Sequence, residues 1–219
     1  TVDGSYKAGA LINITATLSE IVATAASITV TLSNSQTVVL THSSETNTLT
    51  GTYTIGAGQS SADLGVSSYA LTTAPADIAG NIMTSTTKPA GNISGTQAIV
   101  VDTTLPTVSS FSSSTADGAY KVGATINITA TLSEAVTAAA SITVTLDNGK
   151  TVVLTHNAVN NTLTGTYTVA AGDSSADLTV SSYALTSAPA DAAGNAKISS
   201  ESVRFIPLNA LKAKLKIYY

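Results

Sequence analysis

Apolar and polar residues take turns along several short stretches of this chain. In Ile12-Asn13-Ile14-Thr15-Ala16-Thr17-Leu18 every second side chain is apolar, and Ser27–Leu32 and Leu49–Ile55 keep the same beat. A period of two puts alternate side chains on opposite faces of an extended strand, one buried and one wet. Thr37–Thr41 reads as a shorter strand, and stretches near Ser67–Thr72 and Gln97–Val101 complete the set. Ile12, Ile14, Leu18, Ile28, Val30, Leu32 and Tyr53 are expected to face inward. Asp147-Asn148-Gly149-Lys150 reads as a tight hairpin, with Asn-Gly supplying positive φ angles. Six or seven such strands in about 100 residues predict an all-β antiparallel sandwich, with a barrel as the less favoured arrangement.

The whole pattern then returns. Asp3-Gly4-Ser5-Tyr6-Lys7-Ala8-Gly9 reappears as Asp117-Gly118-Ala119-Tyr120-Lys121-Val122-Gly123, an offset of 114. The same offset carries Glu20 to Glu134, His42 to His156, Tyr53 to Tyr167 and Asn81 to Asn195. No gap interrupts the match from Asp3 to Asn81, and about three-quarters of its positions are identical. Such copies predict two tandem modules, residues 1–101 and 102–206, followed by a segment 207–219 without a repeat counterpart. Thr107–Phe111 reads as the opening strand of the second module. Its counterpart would precede residue 1, so the first module is expected to lack an edge strand. The chain starts at Thr1 rather than Met, which reads as a processed form or a fragment.

These residues resemble the bacterial Ig-like repeats of surface adhesins, S-layer-associated proteins and swarming-motility proteins. The resemblance rests on the linker Asp102-Thr103-Thr104-Leu105-Pro106, the Asp-Gly-x-Tyr-Lys-x-Gly motif, Thr131-Leu132-Ser133-Glu134 and the Asp191-Ala192-Ala193-Gly194-Asn195 turn. It covers both modules to about residue 200. It implies two tandem immunoglobulin-like sandwiches at a cell surface, serving as a stalk, an adhesin or part of a layer. It names no ligand.

Composition narrows the classes further. Charged residues make up 10% of the chain, and there is no cysteine or tryptophan, so disulfides and thiolate metal sites are excluded. Positions 1–203 hold five basic and thirteen acidic residues, a balance of −8, while Arg204, Lys212, Lys214 and Lys216 give the last sixteen residues +4. An acidic body repels phosphate backbones, which argues against a nucleic-acid partner. No run of eighteen apolar residues exists that would span a membrane as a helix.

Oxygen donors suit calcium, which takes six to eight of them. The sandwich topology is expected to gather Asp102, Glu134, Asp191 and Asn195 at one pole of the second module, with the linker and two turns as their supports. Glu20, Asp77 and Asn81 would do the same in the first, with Asp3 facing the junction. The resemblance adds that related repeats are stiffened by interdomain calcium. The plainer reading is that Asp and Asn cap turns and Gly-Asn supplies positive φ. The resemblance also brings to mind Lys–Asn isopeptide crosslinks at Lys7 and Lys121, although both sit in a turn-rich stretch that suits a solvated lysine. His42 and His156 read as surface residues, and the one Glu at matching positions in each copy, Glu20 and Glu134, lacks the partner carboxylate of glycoside hydrolysis. Sequons begin at Asn13, Asn92, Asn127 and Asn160. These readings favour a non-catalytic structural or adhesive module, with a carbohydrate-binding accessory module of a secreted enzyme as the alternative. A cell-surface glycan and neighbouring subunits are the partners each implies.

The tail carries one more expectation. Leu211, Ala213, Leu215 and Ile217 alternate with lysines, the pattern of a strand with one wet face. Such a strand could cover the open edge of the first module in another subunit, giving head-to-tail filaments. It could equally pair within its own module.

Overall fold

The computed structural model describes residues 1–23, 25–137, 139–156 and 158–196. The chain divides into two compact units, one from Thr1 to Thr104 and one from Leu105 onward.

Unit 1 contains β1 (Gly4–Tyr6), β2 (Leu11–Val22), β3 (Ser27–Leu32), β4 (Thr37–Thr41), β5 (Thr46–Thr54), β6 (Val66–Thr73) and β7 (Ile99–Val101). Five of them form an antiparallel sheet in the order β2-β5-β4-β3-β6. β1 and β7 form a separate parallel pair, joining Gly4 to Ile99 and Tyr6 to Val101. The all-antiparallel expectation is corrected there.

The alternation read from the sequence sets the burial. Ile12, Ile14, Ile28, Val30, Leu32 and Tyr53 are buried, while Asn13, Thr15 and Thr17 between them are exposed. Each fully buried branched side chain contributes about 1.5–3 kcal/mol. β2 also runs further than expected. After a break in register between Thr17 and Val22 it continues to Val22, so Glu20 lies in a strand and not in the turn expected for it. Glu134 likewise lies inside a strand of unit 2.

Unit 2 contains β8 (Val108–Ser112), β9 (Thr125–Val136), β10 (Ser141–Leu146), β11 (Thr151–Thr155), β12 (Asn160–Thr168) and β13 (Val180–Ser187), in the order β13-β10-β11-β12-β9-β8. Register irregularities precede Ile142 and Leu146, as they precede Ile28 and Leu32 in unit 1. The +114 counterparts Ile126, Ile128, Leu132, Ile142, Val144, Leu146 and Tyr167 are all buried.

The repeated motif can now be read residue by residue. The Tyr6 hydroxyl donates to the carbonyl of Val2 at 2.7 Å, and Tyr120 does the same to Ala116. Gly9 (φ +86°) and Gly123 (φ +85°) turn the chain so that their amides donate to Ile55 and Val169. A side chain is strained at such a φ, which explains the glycine. The Asp147–Lys150 hairpin differs from expectation. Only Gly149 takes positive φ, at +77°, and its amide donates to Leu146. That is a type I turn closed by one left-handed residue, and Ser35 fills the left-handed place in unit 1 at φ +65°.

Candidate functional site

The acidic residues of unit 2 were expected to meet at one pole. Asp191 and Asn195 do meet, and both are buried. The Asn195 amide donates to Asp191 Oδ1 at 2.9 Å, and its side-chain Nδ2 donates to Oδ2 at 2.8 Å. The Gly194 amide donates to the Asp191 carbonyl at 3.1 Å, with Gly194 at φ +82°. The turn is thus locked by its own first and last residues. A carboxylate oxygen of half-buried Glu134 lies within 4.8 Å of one of Asp191. Two carboxylates at that spacing repel one another, and a cation would relieve the repulsion. Asp102 belongs to unit 1, where its Oδ1 accepts from the Thr104 amide at 2.9 Å.

Unit 1 repeats the turn at the surface. Asp77 accepts from both nitrogens of Asn81 at 2.7 Å, and these bonds hold its carboxyl below the usual carboxylate range. Glu20 is exposed on β2. Asp3 accepts from the Ala98 amide at 3.1 Å, beside the β1–β7 pair.

A polar cluster that sequence reading missed lies at the other side of the strands. The Tyr167 hydroxyl donates to Asp173 Oδ2 at 2.6 Å and accepts from Asn148 Nδ2 at 2.9 Å. The Ala170 amide also donates to Asp173, and Lys150 Nζ lies 3.1 Å from Asp173 Oδ1. Unit 1 builds the same cluster without charge: Gln59 Oε1 accepts from Tyr53 and from the Gly56 amide. Gln59 and Gln36 are replaced by Asp173 and Lys150, two neutral amides by the two partners of an ion pair. That paired exchange was the signal in the sequence.

The cluster makes unit 2 sensitive to pH at both ends. The bonds from Tyr167, Ala170 and Lys150 hold the Asp173 carboxyl below its ordinary value of 3.8. A depressed folded-state value adds stability above the ordinary one, and this is lost as pH falls through the folded value. Burial, helped by the bond to Asp173, pushes Tyr167 up to about 12. Unit 2 is therefore expected to lose stability between pH 10 and about 12 as well, where the unfolded chain ionises and the folded one does not. The double substitution Asp173→Gln with Lys150→Gln should remove this acid-side loss from β12 and leave that of unit 1, which depends on Asp77. Residue-resolved hydrogen exchange against pH checks this, and an unchanged acid profile on β12 would refute it.

The remaining candidates are accounted for within the fold. His42 is no plain surface residue: it is half-buried, Nε2 accepts from the Ala26 amide at 3.2 Å, and Nδ1 donates to the Ser44 carbonyl at 2.7 Å. His156 Nδ1 likewise lies 2.5 Å from the Ala158 carbonyl. Lys7 and Lys121 are exposed, a poor setting for an isopeptide bond. Asn13 is exposed and Asn127 half-buried. Asn160 accepts from the Thr162 amide at 2.9 Å. Asn92 is a structural bridge, accepting from Ile93 and Val66 amides at 2.8 Å and donating to the Val66 carbonyl. Leu211, Ala213, Leu215 and Ile217 lie outside the described residues.

The most distinctive surface is the edge of unit 1. In unit 2, β8 lies along β9, pairing Val108 with Leu132 and Phe111 with Ala130. Phe111 is buried edge-on to Tyr183, with ring centroids 5.9 Å apart at 61°. In unit 1, β5 is the one described strand paired with β2, whose last residue Val22 also bridges to Asp77. Ala16, Leu18 and Tyr69, the counterparts of Ala130, Leu132 and Tyr183, are only half-buried. They line a groove of about 910 Å³ whose far wall includes Met83, Lys88 and Ile93. The Tyr69 hydroxyl ties that wall by donating to the Ser85 carbonyl at 3.0 Å.

Compared with known proteins, the chain matches no family model, and no curated protein matches it. Among the described residues no helix is long and apolar enough to cross a membrane.

Proposed function

We propose that the chain is a non-catalytic structural or adhesive segment of an extracellular surface protein, built from tandem Ig-like sandwiches. The observation that carries this is what the duplication keeps. Every buried apolar residue of unit 1 up to Leu64 has an identical counterpart in unit 2, except Ile55, which becomes Val169. The exposed Leu11, Ile21, Glu45 and Ile78 become Thr125, Ala135, Val159 and Ala192. A framework copied whole beneath a drifting surface is what a repeat array needs, because each module adds length. The carbohydrate-binding alternative calls for exposed aromatic platforms. Every described aromatic side chain is buried or half-buried.

An antibody against the chain should label intact source cells, and external protease should shave the epitope away. An epitope reached only after lysis would overturn the reading, and specific binding on a glycan array would favour the carbohydrate module.

Calcium belongs to this reading as a stiffening ion, held by the oxygen donors Glu134, Asp191 and Asn195 of unit 2. Saturating calcium at a hundredfold excess over its dissociation constant adds about 2.7 kcal/mol. The melting temperature should therefore rise with calcium and fall on chelation in the native chain, and not in Asp191→Asn. Identical melting with and without calcium would remove the ion from the proposal.

A further inference from the structure

We propose that Asn127, and Asn13 at the matching place in unit 1, carry N-linked glycans on the outer faces of their sheets. Both open an Asn-Ile-Thr sequon, the acceptor pattern for such a sugar. Alternation along the strand decides what each sequon shows to solvent. On β9 the middle residue Ile128 is 1% exposed, which turns Asn127 and Thr129 together to the opposite face. On β2 the middle residue Ile14 is 2% exposed, and Asn13 and Thr15 take the outer side. The amide and the hydroxyl of the acceptor pattern therefore stand side by side. The Thr129 hydroxyl donates to Asn127 Oδ1 at 3.3 Å, and the Thr52 hydroxyl donates to Asn13 Oδ1 at 3.1 Å. These bonds engage the amide oxygen. Among the described residues, nothing accepts from Nδ2 of either side chain.

The sequon at Asn92 shows the contrary case. Asn92 Nδ2 donates to the Val66 carbonyl at 3.0 Å, while its Oδ1 accepts from the Val66 amide at 2.8 Å. A Cβ placed on buried Gly65 would stand 3.2 Å from that nitrogen and 2.9 Å from Oγ of Ser94, the third residue of the sequon. A single methyl group is already crowded there, so a sugar on Nδ2 has to part the loop from β6. The fold has room for a glycan at Asn127 and Asn13 and none at Asn92. Asn160, whose place in unit 1 is taken by Thr46, is no part of the repeated pair.

The sugar donor is a polyisoprenyl-phosphate-linked oligosaccharide of the export membrane, so the proposal rests on the extracellular reading. Asn Nδ2 attacks the anomeric carbon, and a C–N bond forms as the bond from that carbon to the donor's phosphate oxygen breaks. The lipid phosphate leaves with the electron pair, and Nδ2 gives up one of its two protons.

The test takes the chain from the cells that make it and maps its peptides by mass, before and after an amidase that removes N-glycans. Glycopeptides spanning Asn13 and Asn127 are expected, each left with Asp at that position after release, and none spanning Asn92. Thr129→Ala should lose the Asn127 glycan and Thr129→Ser should keep it, a difference that a merely structural threonine does not produce. Absence of the glycan from either position overturns the proposal. So does a glycan that survives Thr129→Ala, or one on Asn92 in a chain that melts like the native protein. Antibody labelling of the same intact cells separates this proposal from the reading beneath it. A chain at the surface with bare Asn127 loses the glycan and keeps the surface role, while a glycosylated chain held inside keeps the glycan and loses that role.

Discussion

Gly51→Ala is expected to destabilise unit 1 by about 3 kcal/mol, at the upper end of what overpacking costs. A Cβ at Gly51 would stand 2.5 Å from the Val39 carbonyl oxygen, 2.7 Å from Leu40 Cδ2 and 3.0 Å from Val38 Cγ1. The nearest atom is backbone on the neighbouring strand, so no rotamer change can make room. The paired strands β4 and β5 would have to part at this point. Gly165 meets the same three distances from Val153, Leu154 and Val152, so Gly165→Ala should cost unit 2 as much. Gly91 has nothing within 4 Å of its Cβ direction, so Gly91→Ala should change stability by no more than about 0.5 kcal/mol. Denaturant melts read at residue level separate the units. Equal effects at Gly51 and Gly91 would show that the strand crossing has slack.

Ile128→Ala should cost about 2–5 kcal/mol, while Thr129→Ala should stay within about 1 kcal/mol. Ile128 is 1% exposed on β9, where it pairs with Gly165 of β12 and belongs to the buried core of unit 2. Its loss leaves a cavity in that core. Thr129 points to the other face, where its hydroxyl donates to Asn127 at 3.3 Å. Comparable losses at the two positions would mean that the facing of β9 is wrong.

The long strands were legible because each buries one face and so shows a period of two. Ile12, Ile14 and Ile28 announce their burial without help from the fold. The repeat was legible too, since the offset of 114 lays the buried set of one unit on that of the other. Other features left weaker traces. Ser19-Glu20-Ile21-Val22 breaks the alternation and reads as a turn, yet β2 passes through it by shifting register. β1 and β7 pair over three residues each, too few to show any period. Asn-Gly at 148–149 suits two hairpin geometries, and tertiary context chose the one with a single left-handed residue. The Asp191–Asn195 bond was anticipated as a turn cap, whereas the nearness of Glu134 depends on how a strand crosses a loop, which spacing does not encode.

The parallel pairing of β1 and β7 has a mechanical meaning. Among the described strands of unit 1 these come first and last, so a pull applied at Gly4 and Val101 drags one backward along its axis and the other forward. The contacts joining Gly4–Tyr6 to Ile99–Val101 are then sheared together, whereas an antiparallel pair with both ends on one side would be peeled open bond by bond. Forced unfolding is governed by the height of such a barrier rather than by equilibrium stability. A few hydrogen bonds at the margin of the fold thereby act as a tether lock, keeping the larger five-stranded sheet out of the path of the tension until the lock slips.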